Sequence, residues 1–231
     1  MYLSSNCTLC VGHAGIEVEN EQEILETYAK TTPHCAYGRS KKVATELVVS
    51  ANGCGRLHTL VLLPGMIIGP GEPKFMENVL SQDVMPYSSE YAGQLNFAST
   101  RSIERAVLAA LGSLSKTDNI KAAGHIFLIS DVLENFASFE TAVRIALGRP
   151  HDKFINGLMP IVALLSQFVN WITNDRLNHM FLQGTSAAVE LAKRAPALKS
   201  TQEAQNVLGW KPTPREDLIQ ELVNHYRPQK K

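Results

Sequence analysis

The sequence predicts an α/β fold with a mainly parallel sheet, on three observations. The runs Thr59-Leu60-Val61-Leu62-Leu63 and Ile126-Phe127-Leu128-Ile129 are continuously apolar after Thr59, the mark of strands covered on both faces. Helical periodicities lie between and around them, and strand–helix alternation is what parallel strands joined by crossover helices require. Turn residues punctuate the junctions, at Asn52-Gly53, Pro64-Gly65 and Gly148-Arg149-Pro150.

Met1 to Leu3 reads as a short apolar strand running into Ser4-Ser5-Asn6. Glu17, Glu19, Glu21, Glu23 and Glu26 then mark a loop and a short exposed helix, which Thr31-Thr32-Pro33 ends. From 36 to 51 the pattern is helical, with Val43, Ala44, Leu47, Val48 and Ala51 on one apolar face. Asn52-Gly53 is its stop. The strand 59–63 follows, and Gly69-Pro70-Gly71 is loop. Ile103, Ala106, Val107 and Ala110 form the inner face of a helix over 102–114. After the strand 126–129, Ser138 is a candidate cap for the next helix. Thr213-Pro214-Arg215-Glu216 has the form of a capping box with proline at the first helical position, opening a last helix to about Tyr226.

Composition excludes several classes. A chain of 231 residues with 45% hydrophobic side chains can build a core without staples and is not intrinsically disordered. With 22 basic and 22 acidic side chains, no nucleic acid is expected as a partner held by bulk charge. Four cysteines are too few for a disulfide scaffold. Cys7 and Cys10 form a C-x-x-C, but Cys35 and Cys54 are no second pair, so buried or half-buried thiols in a reducing compartment are expected, and no metal. The opening residues lack a basic region and a long apolar run, so no secretory leader is expected. Residues 154–174 carry no charge, yet Pro160 interrupts them and Ser166, Asn170 and Thr173 share a helical face. A bilayer span, a buried helix, and an amphipathic helix at a membrane surface or around an apolar ligand all remain open readings.

Chemistry is suggested by Tyr37-Gly38-Arg39-Ser40-Lys41. Positions four apart share a helix face, and an ammonium beside a phenol favours the phenolate, which suits a tyrosine to acid/base work. Ser5 closes a strand earlier in the chain, and the helix leads to a buried strand ending in Pro64-Gly65-Met66-Ile67. In Tyr2-Leu3-Ser4-Ser5, in Tyr37 to Lys42 with Ala51-Asn52-Gly53, and in Leu63 to Gly71, the sequence resembles the extended short-chain dehydrogenases. It is most similar to their 3β-hydroxysteroid dehydrogenase/isomerase family. Weaker echoes are Arg101-Ser102 to Ala110, Gly124 to Asp131 and Leu208-Gly209-Trp210-Lys211-Pro212.

The resemblance implies a Rossmann-like sheet and an oxidoreductase using NAD or NADP on a secondary alcohol of a steroid or sterol-like substrate. Ser5 would bind the reacting oxygen and Tyr37 would move its proton. Lys41 would hold the nicotinamide ribose and favour the Tyr37 phenolate. Backbone at Pro64, Gly65, Met66 and Ile67 would meet the nicotinamide. Residues 1–72 would be the C-terminal half of the Rossmann-like domain, and 73–231 a mostly helical substrate-binding region with an interleaved strand. Such a protein would work on the cytoplasmic side, at the endoplasmic reticulum membrane, with 154–174 as a surface contact and a second copy as a further candidate partner. No second acid/base pair identifies an isomerase step.

One departure stands out. The family's glycine-rich turn after the first strand has no counterpart here, because Gly69-Pro70-Gly71 opens no helix with a following glycine. The early strands are absent with it. A shortened form of an active oxidoreductase is expected; the alternatives are a non-catalytic, membrane-associated binding or regulatory isoform, or a sheet completed by another chain.

Overall fold

The computed structural model describes residues 1–9, 16–33, 36–72, 76, 79–80, 94–115, 121–149 and 197–227. The uncharged run 154–174, Cys10 and Cys35 lie outside them. No helix among the described residues is long and apolar enough to cross a membrane.

The central sheet has the order β1–β3–β6, formed by Tyr2–Leu3, Val61–Pro64 and Ile126–Ile129, all parallel. Strand β6, from beyond residue 72, thus joins the sheet of the first segment. Both apolar runs are buried on both faces, as their patterning requires. Val61, Leu63, Ile126 and Leu128 pack on one side with Ile24 and Tyr28 of helix α1 (Glu21–Lys30). Val48 and Val49 of α2 (Ala36–Ser50) close that side. Leu60, Leu62, Phe127 and Ile129 pack on the other, with Ile103, Ala106 and Ala110 of α3 (Thr100–Leu114) and with Trp210.

A second sheet branches off at Gly65. Strands β4 (Met66–Ile68) and β5 (Gln94–Ser99) are parallel, and β7 (Val132–Asn135) is antiparallel to β5. Its core joins Phe97, Phe136 and Phe139 to Val143 of α4 (Phe136–Ala146) and to Leu218 and Leu222 of α5 (Arg215–Tyr226). Strands β2 (Glu17–Val18) and β8 (Ala197–Leu198) form a small parallel ribbon.

Several local expectations are corrected. Helix α1 is not merely exposed: Asn20 caps it, accepting from Glu23 N–H at 3.1 Å, and Ile24 and Tyr28 enter the core. On α2, Val43 and Leu47 point outward, 55% and 64% exposed. Their inward place is taken by Thr45, whose hydroxyl meets Ser4 Oγ at 2.7 Å and the Lys41 carbonyl at 2.8 Å; a satisfied hydroxyl can occupy a core position. Asn135, not Ser138, caps α4. Thr213 is not a capping residue, because its hydroxyl accepts from the Arg105 guanidinium at 2.7 Å and its N–H donates to Asp131 Oδ1 at 2.6 Å.

Gly65 lets the two sheets meet. A Cβ there would lie 2.5 Å from the Asn96 carbonyl oxygen and 2.7 Å from Asn96 Cβ. Since β5 backbone cannot yield like a flexible side chain, Gly65→Ala is expected to cost about 1–3 kcal/mol or more, read as a lower urea midpoint.

Candidate active site

The three strands of the central sheet are parallel, so Leu3, Pro64 and Ile129 end on one edge. Ligands of open α/β sheets bind beyond such carboxyl ends. The structure brings four predicted features to this edge.

Ser5 follows β1 directly. Its neighbour Ser4 is 4% exposed and committed to Thr45, so Ser5 is the accessible serine of the pair. Ser5 Oγ accepts from the Cys7 backbone N–H at 3.2 Å, which leaves its own O–H to donate. The Ser5 carbonyl accepts from Thr8 N–H at 3.1 Å and from Thr8 Oγ1 at 2.8 Å, fixing the 3-10 turn Asn6–Leu9 behind it.

Tyr37 and Lys41 stand one turn apart near the start of α2. The Tyr37 ring is 53% exposed, open to a ligand from solvent. Lys41 Nζ lies 5.9 Å from its centroid and 5.1 Å from that of Tyr2, within reach of attraction to both ring faces. It also donates to the Leu3 carbonyl at 3.1 Å. One of three ammonium donors is thereby spent on β1, tying the Tyr–Lys pair to the strand that carries Ser5. Among the described residues Ser5 and Tyr37 share no hydrogen bond; Leu3 and Lys41 connect them.

At the end of β3, Pro64 and Gly65 are buried, and Met66 and Ile67 are half-buried. Gly65 N–H donates to the Ile129 carbonyl at 3.0 Å, holding this corner against β6.

Residues behind the site went unnoticed in the sequence. Tyr28 donates to Thr8 Oγ1 at 2.7 Å, and Thr8 in turn to the Ser5 carbonyl. Burial is the largest cause pushing the Tyr28 phenol up to about 12, partly offset by its hydrogen bond with Thr8. Below pH 10 the phenol is protonated in both folded and unfolded chains. Between 10 and 12 only the unfolded chain gains by ionising, so stability falls across that window. At ~1.4 kcal/mol per unit, the loss is about 2–3 kcal/mol. Urea melts at pH 9 and pH 11 should show about half of that loss, ~1.4 kcal/mol, and Tyr28→Phe should remove it. An unchanged pH slope in that variant would exclude Tyr28 as its source.

Comparisons with known proteins now bear on the arrangement. The model of the 3-beta hydroxysteroid dehydrogenase/isomerase family matches residues 1–160. Short-chain dehydrogenase/reductase family 42E member 1 of Danio rerio is 25% identical over 229 residues, which cover 92% of this chain and 58% of that protein. The chain therefore spans less than two-thirds of that relative. Among solved structures, RMD from Pseudomonas aeruginosa complexed with NADPH is similar at TM-score 0.63 and 12% identity, over 98% of this chain and 66% of that one. The dTDP-glucose 4,6-dehydratase of Bacillus anthracis in complex with NAD gives 0.61 and 15%, over 97% and 60%. At such identities the likeness shows the fold, a Rossmann-like α/β architecture.

Proposed function

Because the chain belongs to the 3-beta hydroxysteroid dehydrogenase/isomerase family, we propose that it serves an NAD(P)-dependent oxidoreductase acting on a secondary alcohol of a steroid or sterol-like substrate. The observation that carries this reading is the Lys41 ammonium, set between the Leu3 carbonyl and the Tyr37 ring at the carboxyl edge of the parallel sheet. The uncharged run 154–174 in the sequence suits an apolar substrate.

The described residues fit the nicotinamide-ribose end of a dinucleotide. Lys41 has donors for ribose hydroxyls, and the Pro64–Ile67 corner offers backbone at the end of β3. The 231 residues contain no glycine-rich strand–turn–helix for a pyrophosphate, and no residue is assigned to that part. When bound, the nicotinamide supplies a hydride acceptor or donor. The chain's own residues do the rest. Ser5 Oγ, oriented by Cys7 N–H, donates to the substrate oxygen. Tyr37 Oη takes the hydroxyl proton in oxidation and returns it in reduction. Lys41, with Nζ 5.9 Å from the Tyr37 ring centroid, holds the nicotinamide ribose beside that ring.

The alternative is a binding module without turnover. One experiment separates the two. The full chain is titrated with NAD⁺ and NADP⁺ by saturation-transfer NMR, then supplied with a 3β-hydroxysteroid while nicotinamide reduction is followed. The first reading expects binding with ketosteroid formed in step with reduced nicotinamide. Steroid binding with no dinucleotide binding would establish the second reading, and binding of neither would overturn both.

A further inference from the structure

At the opposite edge of the central sheet, three side chains distant in sequence converge. His125 stands just before β6, Glu21 opens α1, and Glu203 precedes the short π-helical turn Ala204–Leu208. His125 Nδ1 is 2.7 Å from Glu21 Oε2 and 3.2 Å from Glu203 Oε1. All three ligand atoms lie within 4.8 Å of one another. The single hydrogen of a ring nitrogen points along one direction and cannot serve both carboxylates well, whereas a cation bonds all three atoms at once. Two acidic groups on one imidazole also leave excess negative charge in a place only partly open to water, the side chains being 16%, 39% and 39% exposed for Glu21, His125 and Glu203.

The set is held in place before any ion arrives. The second Glu21 oxygen accepts from Ile126 N–H at 2.8 Å. The imidazole stacks on Phe127, with centroids 5.9 Å apart and planes inclined by 27°. Such supporting contacts are what orient metal ligands in proteins. Tetrahedral bonds of ~2.1 Å to nitrogen and oxygen set ligand atoms ~3.4 Å apart. Glu203 at 3.2 Å already stands near that spacing, and the Glu21–His125 pair at 2.7 Å must open by several tenths of an ångström to admit the ion. Next to it a cavity of about 310 Å³ is lined by Glu21, Glu203, Glu19, Asn20, Ser200 and Gln202, among others. It has room for water on the remaining coordination positions.

We propose that Glu21, His125 and Glu203 bind a divalent transition-metal ion, of the zinc type, which clamps α1, β6 and the 203–208 turn together. The imidazole ligand favours such ions over magnesium and calcium, which take mainly oxygen ligands. The site lies across the sheet from Tyr37 and Lys41, so its role is to stabilise the fold and not to touch substrate.

The test is calorimetric titration of the full, chelator-treated chain with Zn²⁺, and separately with Mg²⁺. His125→Gln and Glu203→Gln serve as variants, and circular dichroism checks their fold. The expected result is one zinc ion per chain, bound at least a hundredfold more tightly than magnesium, and a higher melting temperature with zinc. Each variant should weaken zinc binding on the order of 10–100-fold. Glu203→Gln alters a partly exposed side chain and keeps the test valid should His125→Gln misfold. Absence of zinc binding, equal affinity for magnesium, or unchanged affinity in the variants overturns the proposal. So does a thiolate charge-transfer band with Co²⁺, which would place the ion on a cysteine.

Discussion

On the oxidoreductase reading proposed above, Tyr37→Phe is expected to lower turnover of the secondary alcohol by about 10²–10⁴-fold, the usual worth of a positioned acid/base group, while the chain stays folded. The separation of the two effects follows from the site. The Tyr37 ring is 53% exposed, so loss of its hydroxyl opens no cavity in the core. The helix that carries it is anchored elsewhere, through Thr45 to Ser4 and through Lys41 to Leu3. Steady-state nicotinamide absorbance measures the turnover, and circular dichroism the fold. Lys41→Met should behave differently, losing the ribose donors as well as the fixed charge, so the KM for the dinucleotide rises as kcat falls. A Tyr37→Phe protein with near-normal kcat would move the proton transfer to another group.

How much of this was legible before the structure depends on how local each feature is. Tyr37 and Lys41 are readable because a four-residue spacing on a helix is a local fact. The two buried strands are readable because burial on both faces leaves no polar position. The orientation of Lys41 is not, since it rests on a carbonyl 38 residues away. The inward face of α2 was misread for a related reason: Thr45 looks like a surface residue until Ser4 is brought to it. Strand β4 was hidden because only Gly65 separates it from β3, and β5 because Asn96 and Ser99 interrupt its apolar pattern. Both polar residues are buried: Asn96 is satisfied by Ser130 and Leu198, which the sequence leaves far apart, whereas the Ser99 hydroxyl accepts from Ser102 N–H and caps α3.

Asn96 is where that long-range satisfaction carries the most energy. It is 1% exposed, in the middle of β5. Its amide nitrogen donates to Ser130 Oγ at 2.9 Å and to the Leu198 carbonyl at 2.8 Å, and its oxygen accepts from Leu198 N–H at 2.8 Å. One side chain thereby satisfies both backbone groups of Leu198 and holds the β2–β8 ribbon against the larger sheets. Asn96→Ala removes the donor and the acceptor together and leaves Leu198 N–H and C=O without these partners. At about 1–3 kcal/mol for each buried group so exposed, the expected cost is about 3–5 kcal/mol. That is a large share of the roughly 5–15 kcal/mol that holds a typical domain folded. The damage should be uneven. Val61, Leu62 and Leu63 are bonded within the central sheet independently of Asn96, whereas Leu198 depends on it directly. Hydrogen exchange in the variant should show the Leu198 amide opening well below the global limit while the amides of β3 still exchange only by global unfolding. A uniform loss of protection would make Asn96 an ordinary core residue, and a cost under about 1 kcal/mol would mean water satisfies Leu198 as well as Asn96 does.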